Sequence, residues 1–129
     1  MADFNGLRAW AEENYELENN EDTWFALVFE FDDGRTQKVA ITHFTAYGHE
    51  WVELRSPICE EGELPHRVAL KKSAEMAVGA ICLHDGRYYV MFSVLLDDLS
   101  VEEFEIPLLA VATAAEDFEK SYSSGDDSF

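Results

Sequence analysis

Ala80-Ile81-Cys82-Leu83-His84, then Asp85-Gly86, then Arg87-Tyr88-Tyr89-Val90-Met91-Phe92-Ser93-Val94-Leu95 is the stretch that decides the fold. β-branched and aromatic residues fill both arms, and Asp-Gly between such arms is a strong hairpin signal. A two-residue loop at Asp85-Gly86 sets Leu83 opposite Tyr88 and Ile81 opposite Val90, and Gly79 leaves room opposite Phe92. That face, extended by Val94, is the one expected to be buried. The other face carries Cys82, Tyr89, Met91 and Ser93, a mixed surface able to stay wet or to meet a partner.

A helix precedes the hairpin and a longer one follows it. Pro65 suits a first helical turn, and His66 to Val78 continues at helical spacing until Gly79 stops it. Leu70, Ala74, Ala77 and Val78 form its main apolar face, and Ala69 with Met76 forms a second, smaller one. Two apolar faces predict burial on two sides. After the hairpin, Ser100 with Glu103 makes a capping box. Val101, Phe104, Leu108, Val111, Ala115, Phe118 and Tyr122 then follow at spacings of three and four. Pro107 lacks an N–H, so a kink or a fresh start is expected there.

Residues 3 to 17 read as a first helix, with Phe4, Leu7, Ala11 and Tyr15 in register, and Glu18 to Asp22 as a loop. Acidic residues near that helix's C-terminal end oppose its dipole, so the end should fray. Thr23 to Phe31 alternates as a strand, and Arg35 to Phe44 returns from Asp32-Asp33-Gly34. A two-residue loop would set Leu27 opposite Ala40 and scatter the core face. A three-residue loop sets Leu27 opposite Val39 and Phe25 opposite Ile41, which predicts a type I turn with a G1 bulge and Gly34 left-handed. Glu50 to Ser56 is a third strand, ended by Pro57, and Ile58 to Leu64 is a loop. The order αβββαββα predicts an α+β fold: an antiparallel sheet of about five strands with three helices over one face. Residues 1–122 make one domain, and 123–129 a disordered acidic tail.

Twenty-seven Asp and Glu against nine Lys and Arg give a net charge of -18. Such a surface repels phosphate backbones and anionic lipids, which argues against nucleic acid and membrane as partners and favours a basic protein segment. No leader pattern and no apolar run of about 18 residues occurs, so the expected location is cytoplasmic. Cys59 and Cys82 are too few for a disulfide framework, and Cys82 reads as a small apolar strand residue.

The search for chemistry is negative: there is no glycine-rich phosphate loop, no Cys-x-x-Cys, no His-Glu-x-x-His and no calcium loop. No catalytic, cofactor or metal residue is assigned. His43 and His49 could meet Glu50 across a turn, but they read as surface residues. The informative residues are apolar ones off the core faces: Trp51, Tyr89, Met91, Met76 and Ala69. On an acidic surface they read either as a protein-binding patch or as a second layer of core under a helix on the sheet's other face.

The element order resembles the type III secretion chaperone-like fold. Within that fold the chain is similar to the YbjN family, described as bacterial sensory transduction regulators. The stretches that carry the likeness are Arg35-Thr36-Gln37-Lys38-Val39, Trp51 to Ile58, Gly86 to Val90, and Val111 to Glu119, within residues 3 to 122. The resemblance implies binding rather than catalysis, and small acidic homodimers that hold a partner's extended segment. The expected function is thus a non-enzymatic, chaperone-like or regulatory protein-binding module, with Trp51, Tyr89 and Met91 meeting the partner. The alternative is a small-molecule sensor using the concave sheet face, where Tyr89 and Trp51 would stack a ligand. Unpaired sheet edges and the second face of the middle helix predict a homodimer, with Ala69 and Met76 at its two-fold contact.

Overall fold

The structure, a computed structural model, describes residues 3–123. Residues 124–129 of the expected tail lie outside the described residues. Among the described residues the order is α1 (Phe4–Asn14), β1 (Glu16–Glu18), β2 (Trp24–Glu30), β3 (Thr36–Ala46), β4 (His49–Glu60), a 3-10 turn (Glu61–Glu63), α2 (His66–Glu75), β5 (Ala80–His84), β6 (Arg87–Leu95) and α3 (Val101–Tyr122). The sheet is antiparallel, in the order β1-β2-β3-β4-β6-β5. It has six strands rather than five, because the frayed end of the first helix is itself a strand. Tyr15 leaves the helix with extended backbone, and Leu17 then pairs with Leu27. Arg8 holds the connecting loop by donating to the Asp22 carbonyl at 2.8 Å and to Asn20 and the Glu21 carbonyl.

Both hairpin registers follow the turn chemistry. Leu27 pairs with Val39 and Phe25 with Ile41. Gly34 sits at φ +85° with open space around its α-carbon. A β-carbon there meets no atom within 4 Å, so the cost is set by backbone strain: Gly34→Val is expected to lose about 1–2 kcal/mol. A denaturant midpoint equal to wild type would refute the left-handed requirement. In the second hairpin Leu83 pairs with Tyr88 and Ile81 with Val90, and Asp85 and Gly86 both have positive φ, as a type I′ turn demands. The β3–β4 turn, Tyr47-Gly48, is built the same way.

Pro57 does not end its strand. β4 continues to Glu60 and shifts register against β6 between Pro57 and Cys59, so Ile58 and Cys59 are buried in succession. The β3–β4 ladder runs from Ala46 opposite His49 to Ala40 opposite Arg55. Beyond it, side chains bond the two strands: Ser56 Oγ donates to the Lys38 carbonyl at 2.5 Å, and Gln37 Nε2 to the Pro57 carbonyl at 2.7 Å. A proline without an N–H is tolerated where the backbone ladder has already given way.

The helices lie over one face. Phe4 of α1 meets Phe25 of β2, Trp10 meets Phe104 of α3, and α3 packs along β3, β4 and β6. The core between them holds Leu7, Leu27, Ile41, Leu54, Val90, Leu108 and Val111, all fully or almost fully buried. The α3 capping box is closed: Ser100 Oγ accepts from the Glu103 N–H at 3.1 Å, and the Glu103 carboxylate accepts from the Ser100 N–H at 3.0 Å. The helix does not restart at Pro107, which is itself buried within it. One lost backbone bond costs less than abandoning a stripe that packs on three strands.

α2 differs in length and orientation from its spacing. It ends at Glu75, and Gly79, at φ +86°, belongs to the connection into β5. Ala69, on the smaller apolar face, is the residue that is buried, while Leu70, on the larger one, is 72% exposed. Ala69 therefore packs within the core of the single chain. Met76, at the helix end, is half-buried beside Phe118 and Ala114 of α3. Ser73 on α2 accepts the Ile81 N–H at 3.0 Å on its hydroxyl oxygen, tying the helix to β5.

Candidate protein-binding surface

Among the described residues, the second face of the sheet carries no helix. Alternation puts Trp24 and Val28 of β2, Phe44 of β3, Trp51 of β4, and Tyr89 and Met91 of β6 on it, all half-buried. One row across the strands runs Ala26, Ala40, Arg55, Met91, Ala80, and a neighbouring row pairs Pro57, Tyr89 and Cys82. Tyr89 and Met91 are thus side by side. Trp51 stands on the same face, opposite Leu95, four residues along β4 from Arg55. That places it about 13 Å from the Met91 row.

Two apolar ends flank a charged middle. At one end Phe44 and Trp51 stack with centroids 6.3 Å apart and an interplanar angle of 12°, and Trp51 Nε1 donates to the Ala46 carbonyl at 2.9 Å. At the other, the Arg55 guanidinium lies 5.4 Å from the Tyr89 ring centroid while its Nε donates to Glu53 at 2.8 Å. Arg55 is therefore neutralised by Glu53 and presents a flat, stacked surface rather than a free charge. Such a face can offer aromatic and thioether contact to an extended chain.

Phe44 joins the patch unforeseen. The alternation Ala40, Thr42, Phe44 at the end of the strand is its signal. A separate cleft opens on the helix side between α2 and the β5–β6 hairpin, where His66, Leu70, Leu83 and Tyr88 line about 170 Å³. Tyr88 is 3% exposed, and its hydroxyl has no hydrogen-bond partner among the described residues.

The histidines and cysteines form no chemical centre with one another. His43 bonds Glu50 at 2.8 Å and His49 bonds Asp97 at 3.1 Å. Pairing of His43 with Val52 and of Ala46 with His49 sets the two rings on opposite faces of the sheet. Among the described residues no group of three or more His, Cys, Asp or Glu could hold a metal ion. Burial pushes the Cys59 thiol up to about 11, with Glu63 and Glu60 adding to the shift, so the thiolate is suppressed at neutral pH. No helix among the described residues is long and apolar enough to cross a membrane.

No family model matches the chain, and no curated protein matches it in sequence. Among solved structures it is similar to a chain of the HopA1-SchA chaperone-effector complex, with a TM-score of 0.59 and 13% sequence identity over 87% of each chain. The likeness is one of fold: an α+β arrangement with an antiparallel sheet and helices over one face.

Proposed function

We propose that this chain is a non-enzymatic, chaperone-like protein-binding module of the cytoplasm, which holds an extended, net-basic segment of a partner protein on its open sheet face. The carrying observation is that face: a sheet surface without a helix among the described residues, holding Trp51, Phe44, Tyr89 and Met91 in a molecule of net charge -18. The similarity of fold to a chain of a chaperone-effector complex supports it. One open face suffices, so the reading does not require two copies to pair. A small-molecule sensor would need its ligand enclosed. The open face offers rows of half-buried side chains, and the cleft at Tyr88 lies on the other side of the sheet.

Affinity capture from native extract tests this. The wild-type chain is expected to retain a protein bearing a segment rich in Lys or Arg. Tyr89→Ser with Met91→Ser should weaken that capture by about tenfold or more, with circular dichroism and melting unchanged. A partner held equally well by the double variant would overturn the reading. So would a small metabolite held in a partner's place.

A further inference from the structure

α3 is apolar on its outer side as well. Ile106 is 58% exposed and Leu109 is 55% exposed, and with Ala110 they stand on the side of the helix away from the buried Leu108, Val111 and Ala112. Shallow clefts flank the stripe on both sides. Tyr15 and Phe29 close one of about 370 Å³, and Met76 with Val78 closes one of about 290 Å³. The result is an apolar belt across α3, on the opposite side of the molecule from Tyr89 and Met91.

The rim of the belt is acidic. Glu102 and Glu105 border the first cleft and Asp117 the second. Glu105 lies close enough to Tyr15 that its charge adds to the burial that raises the tyrosine's pKa. Glu102 and Asp117 are fifteen residues apart on one helix, about 22 Å. Lys72 lies beyond, in the groove where α2 meets Phe118, and Lys120 is engaged with Asp33 at 3.5 Å.

We infer that this belt is a second docking surface, which takes an amphipathic helix with a leucine-type apolar face and Lys or Arg at its margins. Charge decides between that occupant and a second copy of the chain. Two copies crossing antiparallel at Leu109 would bring Glu102 of each against Asp117 of the other. Parallel copies would set Glu102 against Glu102. Either arrangement adds like charges at the contact to a net charge of -18 on each chain. A basic amphipathic helix places cations at the same positions, and two turns of its apolar face cover Ile106, Leu109 and Ala110. The inference does not rest on the sheet-face reading, because the two surfaces share no residue.

The probe is a synthetic peptide of about 18 residues, long enough to span the rim acids, with leucines at i, i+3, i+4 and i+7 and lysines elsewhere. Controls are a scrambled peptide of equal composition and the same pattern with glutamates for lysines. Titration calorimetry is expected to show binding of the patterned basic peptide alone, weakening as salt rises. Ile106→Ser with Leu109→Ser should weaken it about tenfold or more. Both residues are exposed, so the variant should keep the wild-type melting point. If it does not, Glu105→Lys with Asp117→Lys reads the same surface through its charge and should likewise cost at least about tenfold. Met91→Ser should leave the affinity unchanged. Equal binding of the scrambled peptide, undiminished binding to both surface variants, or a dimer dispersed by Ile106→Ser with no effect on the peptide would overturn the inference.

Discussion

Val111→Asp is expected to leave the chain unfolded at room temperature. Val111 is 0% exposed, at the centre of α3, where the helix lies on the sheet. The substitution removes a packed isopropyl group and puts a carboxylate on the buried side of the helix, which also carries Leu108, Ala112 and Ala115. Leaving a polar group there without partners costs several kcal/mol, against a total of about 5–15 kcal/mol for a domain of ordinary size. Far-ultraviolet circular dichroism and a melting curve test it. A cooperative transition at the wild-type temperature would mean that α3 does not bury this face.

The second large effect is expected at Arg35. Its Nε lies 3.0 Å from Glu116 Oε1 and its Nη2 lies 3.3 Å from Glu119 Oε1. The two carboxylates are 3% and 0% exposed, while the guanidinium reaches solvent at 25%. One cation thus serves two buried acids, and the hairpin turn is clamped to the last helix. Removing one partner of a buried ionic cluster leaves the other charges desolvated, so Arg35→Ala should destabilise by about 3–5 kcal/mol. Replacing all three, with Arg35→Met, Glu116→Leu and Glu119→Leu, should recover most of that loss, since these charges are then gone from the interior. Urea denaturation of the three proteins measures both steps. Arg35→Ala at wild-type stability, or a triple variant no better than it, would refute the account.

Local chemistry was enough to read both hairpins. Asp32-Asp33-Gly34 and Asp85-Gly86 each specify a loop length, and a loop length specifies which side chains face each other. Ser100 and Glu103 likewise announced the start of α3. What escaped depends on distant partners. Glu16-Leu17-Glu18 looks like the tail of a helix until Leu27 lies opposite Leu17. Ala69 and Leu70 are one residue apart, and only the position of β5 and β6 decides which of them is buried. Glu116 and Glu119 resemble the other acids of a very acidic chain, and their burial follows from Arg35, some eighty residues away. On the open face, Tyr89 and Met91 were legible from alternation. Phe44 was not, because the strand holding it ends in a turn that blurs the pattern.

The hydroxyl of Ser73 on the Ile81 N–H has a consequence for how the protein behaves in crowded solution. β5 is a terminal strand of the sheet, and such strands recruit further strands through their outward N–H and C=O groups. The Ile81 donor is already taken, so an incoming chain loses its first bond on an edge of five residues. At the opposite margin β1 is three residues long, with Glu16 and Glu18 flanking its leucine. Both borders are thereby blunted against fibril-like growth. The chain can expose a broad aromatic sheet surface without becoming a template for its own polymerisation.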